Sequence, residues 1–278
     1  MSSFKRRRSP REVFPAEPKI TMKRDHSTAK RFERTWRHLQ VLCPDPDSQH
    51  RLVWLRQQFS KKQRGAMESA QAEIDIAMLL SNAGFSLSFV KETETRTADL
   101  ECYLGDDRLF VEVTVIVPTE PDRSKGMPSN LSAKTEEEDL DFFKDSLVKR
   151  MLARINEKSE QLVDYCAPVL LALAIVHQEQ NLSANGKTTG RKMALDLQQL
   201  GGVITSALGR VPQLSGVLLT LWNIHPAESR SNIRLSNVSV GEWVSEPKGF
   251  SQVRFFASNP VASYLIEPEA SLALQRAL

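Results

Sequence analysis

Two carboxylates lie in adjacent strand-like segments of the sequence. Asp99 stands at the start of one segment, Ala98–Leu104, and Glu112 lies inside the next, Arg108–Val117. The second segment otherwise consists mainly of Leu, Phe and Val, and a carboxylate in such a run is costly unless something pairs with it. The turn Gly105-Asp106-Asp107 predicts that the two segments form a hairpin. We therefore expect the two acids to lie on neighbouring strands.

The usual partner of a carboxylate in an apolar strand is a basic side chain or a hard divalent cation. Strand alternation places Phe110, Glu112 and Thr114 on one face of the second strand. Asp99 and Glu112, together with the backbone carbonyl of Val113, can hold Mg²⁺, or alternatively Mn²⁺, through oxygen ligands. The hairpin therefore predicts a divalent-metal site.

Two predicted helices carry charged residues where apolar residues are expected. Glu73 lies on the apolar stripe of a helix over Met67–Asn82 and not on its polar face. Lys158 occupies one step of the apolar stripe of a longer helix, Leu140–Tyr165, and Gln161 flanks it three residues later. We expect one acid and one lysine to point towards the sheet from separate helices.

Each of these charged residues also has a purely structural explanation. Glu112 fits an edge strand that faces water, and the Lys158 stem fits an apolar surface along which it reaches solvent. Glu73 and Lys158 also fit a partly buried salt bridge. Taken together with Asp99 ahead of Glu112 in one hairpin, they favour a metal-dependent hydrolytic site.

The elements that must position these residues predict an α/β fold with a mixed central sheet flanked by helices. Two continuous apolar runs, Pro168–Val176 and Ser215–Trp222, are typical of strands that are covered on both faces. A further helix is predicted over Arg191–Leu208. Short strands near Ile233–Val240 and Val253–Phe256 complete or extend the sheet. A sheet covered by helices accounts for this order of elements.

The charge of the chain is distributed unevenly. Residues 1–64 contain 17 Lys and Arg against 6 Asp and Glu, whereas residues 65–278 contain 20 against 28. We interpret residues 1–64 as a basic extension, disordered over 1–20 and then folded into short helices, and residues 65–278 as the main domain. A basic extension of this kind favours contact with a polyanion, and the alternative is that it is a solvated segment without a specific partner.

The ordered set of elements resembles the PD-(D/E)XK nuclease superfamily, also called restriction-endonuclease-like. The resemblance covers about residues 67–178 and consists of a helix with an inward acid, a strand, ADL, a turn, VEVT, a helix bearing KSEQL and a strand opened by Pro. It implies a restriction-endonuclease-like core in which Asp99 and Glu112 are the metal-binding acids. Glu73 would be the acid of the first helix that often completes the site.

One position departs from the pattern of this superfamily. A lysine usually stands two residues after the second acid, where this sequence has Thr114. In some branches the following helix supplies that lysine, and Lys158 resembles this arrangement. The resemblance then implies that Lys158 offsets charge on the transition state or orients the attacking water, and that Gln161 donates to a phosphate oxygen.

The resemblance implies a magnesium-dependent nuclease that acts on DNA more readily than on RNA. The rivals are a catalytically inactive nucleic-acid-binding protein on the same fold and an interaction protein whose tail recruits a partner. A homodimer or a partner protein is also compatible with the sequence. We find in the sequence no apolar run of about 18–20 residues, no secretory signal and no closely spaced cysteines. We therefore expect a cytoplasmic protein that does not contact membranes.

Overall fold

A computed structural model of the chain describes residues 26–61, 63, 65–91, 98–116, 136–176, 193–222, 224–226, 237–241 and 251–278. Six helices lie within these ranges. The helices are α1 (His26–Leu42), α2 (Pro46–Ser60), α3 (Ala66–Asn82), α4 (Glu136–Gln161), α5 (Leu197–Leu208) and α6 (Pro268–Ala277).

The strands form a mixed sheet with a smaller pair beside it. They are β1 (Ser86–Phe89), β2 (Leu100–Leu104), β3 (Asp107–Ile116), β4 (Val169–Val176), β5 (Met193–Leu195), β6 (Gly216–Trp222), β7 (Ile224–Pro226), β8 (Val238–Val240) and β9 (Ser251–Ser258). The large sheet has the order β1-β2-β3-β4-β6-β9-β8, and β5 pairs with β7. The prediction of an α/β protein with a mixed sheet is confirmed.

The predicted hairpin forms the start of the sheet. β2 and β3 are antiparallel, and Gly105 has a positive φ of 61° at the turn between them, a conformation that glycine adopts without strain. β3 then pairs with β4, and β4 with β6, both in parallel. β4 and β6 are buried along their whole lengths, because helices cover both faces of the sheet.

Two hydrophobic cores lie on opposite faces of the sheet. The first core contains residues of α4 and α5 packed on the sheet. The second core contains residues of α1, α2, α3 and α6. Phe32 of α1 and Leu52 of α2 are buried in the same core as Ile74 of α3. The two helices of the predicted extension therefore pack on the body, while the proposed division at residue 64 stays a prediction.

Some predicted boundaries differ from those in the structure. The helix predicted from Arg191 begins at Leu197, because the Asp196 side chain caps it by accepting the Gln199 backbone N–H at 2.9 Å. Met193–Leu195, inside that predicted helix, form β5 instead. The predicted disorder over 1–20 lies outside the described residues. Within the described ranges, no helix combines the length and apolarity that crossing a membrane requires.

Candidate active site

Glu112 and Lys158 meet across the face of the sheet that α4 covers. The Lys158 Nζ donates to the Glu112 Oε1 at 2.5 Å, and Glu112 is only 6% exposed. β3 lies between β2 and β4, so Glu112 does not face water at an edge of the sheet. The apolar stripe of α4, which includes Met151 and Ile155, turns Lys158 towards β3. The structural alternatives of a water-facing Glu112 and a Glu73–Lys158 pair are therefore wrong.

Glu73 is paired instead with an arginine that the sequence did not indicate. It lies on the buried face of α3, among Ala70, Ile74 and Ala77. The Arg51 side chain, from α2, donates from Nε to the Glu73 Oε1 at 2.8 Å and from Nη2 to Oε2 at 2.9 Å. This two-pronged contact is the geometry in which a guanidinium and a carboxylate bind most strongly.

Asp99 joins the Arg51–Glu73 pair to the backbone of β3, one residue from Glu112. Its Oδ1 accepts the Arg51 Nη2 at 3.0 Å, and its Oδ2 accepts the Val113 backbone N–H at 2.8 Å. Because β2 begins at Leu100, opposite Val111, it does not extend far enough to pair with Val113. The Asp99 side chain accepts the Val113 N–H instead. A strand residue directs its N–H and C=O to the same side. The Val113 carbonyl, predicted as a metal ligand, therefore points to the side on which Asp99 lies.

The segment just before β2 is held against the turn that follows α4. The backbone N–H of Ala98 donates to the Tyr165 hydroxyl at 2.6 Å, and the Tyr165 ring packs edge-on against Phe110 with centroids 4.5 Å apart. Burial raises the pKa of Tyr165, so this hydroxyl stays protonated. Tyr165 thus fixes the backbone next to Asp99.

We refer to Glu73, Asp99, Glu112, Arg51 and Lys158 as the acid–cation cluster. Burial, followed by the negative charge of Asp99, raises the pKa of Glu73 to about 8, although Arg51 acts in the opposite direction. The same two causes raise the pKa of Glu112 to about 7 against the effects of Lys158 and Arg51. Three carboxylates face two cations within the cluster, so the acids repel one another and favour additional positive charge.

Gln161, the remaining predicted site residue, stands outside these contacts, and so does Thr114, two residues after Glu112. The Gln161 side-chain amide donates to the Glu157 Oε1 at 3.3 Å, on the exposed part of α4. Thr114 is half-buried and lies opposite Leu173 of β4 in the register of the sheet. Strand alternation places Thr114 on the same face as Glu112, two residues further along β3.

The cluster has the donor type that a hard divalent cation prefers, since carboxylate and carbonyl oxygens are the usual ligands of Mg²⁺. Among the described residues, however, no group of three or more His, Cys, Asp or Glu side chains is arranged to hold a metal ion. Arg51 contacts both Glu73 oxygens and one Asp99 oxygen, and Lys158 contacts one Glu112 oxygen. The oxygen atoms are of the type that a hard cation binds, but in this structure Arg51 and Lys158 contact them.

Arg51 is the residue of the cluster that sequence reasoning missed. It lies in the basic segment, where its charge looked like one of many. The available signal was its place beside the apolar stripe of α2, which Leu52, Leu55 and Phe59 form. Its guanidinium also stacks over Trp54, 4.4 Å from the ring centroid.

A second basic feature lies on the surface of α1. Lys30, Arg34 and Arg37 recur at helical spacing and are exposed, opposite the buried side of the helix. Within the described part of the chain they form no ion pair. Glu33, the acid among them, is paired with Arg56 of α2 at 2.9 Å. We call Lys30, Arg34 and Arg37 the basic stripe.

Comparison of the chain with models of protein families, with curated proteins and with solved structures found no match.

Proposed function

We propose that the protein is a metal-dependent nuclease that hydrolyses phosphodiester bonds, most readily in DNA, on a core of the PD-(D/E)XK type. The observation that carries this proposal is the buried acid–cation cluster. The acids and the lysine of the cluster come from separate parts of the chain. Arg51 bridges Glu73 and Asp99, and Asp99 accepts the N–H of Val113, the residue next to Glu112. Lys158 donates to Glu112. Buried charges that repel one another destabilise a fold, so their convergence favours a functional role.

The order of elements also supports the proposal. The antiparallel pair β2–β3 carries Asp99 and Glu112, α4 follows with Lys158, and β4 returns parallel to β3. This order matches the one in which the sequence resembles the superfamily. β4 starts with Val169 immediately after Pro168, whose carbonyl accepts the Phe110 backbone N–H at 2.9 Å.

The chain's own residues have distinct tasks in this proposal. Asp99, Glu112 and the Val113 carbonyl would hold Mg²⁺ or Mn²⁺, and Glu73 would complete the set of acids. The cation, when bound, polarises the phosphate and lowers the pKa of water. Lys158, which now donates to Glu112, would stabilise the negative charge that develops on the phosphate oxygens. The Gln161 amide must turn away from Glu157 before it can donate to the substrate.

The basic stripe supports nucleic acid as the substrate. A row of exposed cations along one helix face attracts the phosphate backbone irrespective of its sequence, with an affinity that falls as salt rises. Glu33 does not cancel this charge, because Arg56 already neutralises it. The stripe would hold the nucleic acid, while the acid–cation cluster would act on it.

A second candidate function is nucleic-acid binding without cleavage. Two observations favour it: Thr114 stands where the superfamily usually has lysine, and Arg51 occupies carboxylate oxygens that a metal would need. In that case the acid–cation cluster would be a structural remnant. The basic stripe would then carry the whole activity.

The test is incubation of the full chain with linear, circular and single-stranded DNA and with RNA, with and without Mg²⁺. The matched control is Glu112→Gln, which keeps the size and a hydrogen-bonding group but removes the charge. Cleavage that needs Mg²⁺ and is absent in the control supports the nuclease. Salt-sensitive binding without cleavage selects the second candidate. The absence of both binding and cleavage overturns both candidates.

A further inference from the structure

Arg51, from α2, contacts two of the three carboxylates of the cluster, whereas Lys158 of α4 contacts the third. Its guanidinium contacts Glu73 and Asp99, and its side chain is only 12% exposed. It belongs to α2, a helix that the charge pattern assigns to the basic extension. α2 itself is anchored by the buried Leu52 and Leu55, so the position of Arg51 is fixed by packing.

The oxygens that Arg51 contacts are those that a cation would need. The Asp99 Oδ2 accepts the Val113 N–H and its Oδ1 accepts from Arg51, so Arg51 holds one of the two oxygens through which Asp99 could bind a metal. Both Glu73 oxygens also accept from Arg51. A divalent cation at Asp99 and Glu73 would therefore compete with the guanidinium for the same ligand atoms.

Electrostatics makes this competition strong. A guanidinium and a divalent cation repel each other, and the repulsion is weakly screened where water is largely excluded. When all three acids are ionised, they carry one more negative charge than Arg51 and Lys158 balance. A divalent cation that replaced Arg51 would add one more positive charge than it removed and would balance all three acids.

We propose that Arg51 is a built-in counter-ion that a hard divalent cation must displace, so that α2 limits metal access to the acid–cation cluster. The proposal rests on the proposed metal-dependent function and adds a control on it. Arg51 is then neither a metal ligand nor a catalytic residue. It stabilises the metal-free protein, and it weakens metal binding by the free energy needed to move it.

The chain offers a matched control on the same helix. Arg56 is also paired with a glutamate and also stacks over a tryptophan, Trp36, at 4.5 Å. Its acid is Glu33, and among the described residues it contacts no member of the acid–cation cluster. Arg56→Met therefore removes the same charge from the same helix without changing the ligand oxygens.

The experiment is calorimetric titration of the full chain with Mn²⁺, together with its melting temperature with and without Mn²⁺. The proteins are the natural chain, Arg51→Met, Arg51→Lys and Arg56→Met. We expect Arg51→Met to bind Mn²⁺ about 10-fold more tightly or better, within the usual range of coupling between two sites. Arg51→Lys, which lacks the planar guanidinium, should have a Mn²⁺ affinity between those of the natural chain and Arg51→Met. Arg56→Met should bind Mn²⁺ as the natural chain does.

The melting temperatures give an independent readout. Arg51→Met should melt lower than the natural chain without metal, because it leaves two buried carboxylates without their cation. Mn²⁺ should then raise its melting temperature more than that of the natural chain. If Arg51→Met does not fold even with Mn²⁺, Arg51→Lys takes its place, and the same direction of change in affinity is required.

The possible results separate the two proposals. Equal Mn²⁺ affinity in Arg51→Met, Arg51→Lys and the natural chain overturns the counter-ion role but leaves the metal site. Weaker affinity in the Arg51 variants also overturns it, because Arg51 would then position the ligands. Absence of Mn²⁺ binding in every protein overturns the metal-dependent function together with the counter-ion role.

Discussion

Arg51 and Arg56 lie on one helix, α2, and have similar partners but different surroundings. Each pairs with a glutamate at 2.8–2.9 Å, and each guanidinium stacks over a tryptophan ring. The Arg56 side chain is 49% exposed and has one acid beside it. Arg51 is 12% exposed and lies against Glu73 and Asp99. The same pair of residue types therefore occurs once in water and once in the interior.

The difference shows that an ion pair has no fixed meaning apart from its environment. An exposed pair gains little, because water screens its charges and its side chains lose freedom. A buried cluster must first overcome the loss of hydration of every charge, and an apolar replacement is often as stable. The buried acids of the cluster are therefore better explained by function than by stability, and substitutions at the two kinds of site should differ accordingly.

The largest effect is expected from the two acids at the hairpin. Glu112→Gln and Asp99→Asn should each lower kcat at least about 100-fold, because each removes a charged metal ligand while keeping the shape of the side chain. The measurement is Mg²⁺-dependent cleavage of linear DNA by folded protein, checked by circular dichroism. Activity like that of the natural chain in either variant would remove that residue from the site.

Lys158 should have a comparable effect on rate but little on substrate binding. Lys158→Ala is expected to lower kcat about 100-fold with a smaller change in KM, since its charge is needed most in the transition state. Thr114→Lys in the Lys158→Ala background should restore part of the rate, because Thr114 and Glu112 share one face of β3. Unchanged cleavage by Lys158→Ala would make the lysine a structural partner of Glu112.

The sequence allowed four members of the acid–cation cluster to be predicted, for a simple reason. Glu73 and Lys158 interrupt helical apolar stripes, and Glu112 interrupts an apolar strand. A charge at a position that periodicity marks as buried is visible without any knowledge of the tertiary fold. The mixed sheet was predictable in the same way, from the continuous apolar runs that became β4 and β6.

The acids that Arg51 contacts could not be predicted, because they depend on packing between distant segments. Arg51 is 22 residues from Glu73 and 48 residues from Asp99, and local periodicity says nothing about how α2 lies on α3. The pairing of Glu73 with Lys158 failed for the same reason, since the sheet separates α3 from α4. α6 was missed too: only Ala270 and Leu274 of this short helix are buried.

The basic stripe should affect binding and not chemistry. Replacing Lys30, Arg34 and Arg37 together by Ala should weaken DNA binding and lower the slope of log K against log salt by about one for each side chain that binds a phosphate. The rate at saturating DNA should not change. The matched control removes three exposed cations elsewhere, Lys149, Arg210 and Arg276, and an equal decrease of the slope in that control would assign the effect to net charge.

The smallest effect is expected at the exposed pair. A double-mutant cycle of Arg56→Met and Glu33→Gln should give a coupling free energy of about 0.2–1 kcal/mol, measured by urea unfolding, because both side chains are partly in water. The equivalent cycle of Arg51→Met and Glu73→Gln should give a coupling several times larger, since the two side chains form a two-pronged contact in the interior, where water screens charges little. Equal couplings in the two cycles would mean that burial does not distinguish the pairs. The contrast between Arg51 and Arg56, and with it the reason to treat Arg51 as a counter-ion of the acids, would then disappear.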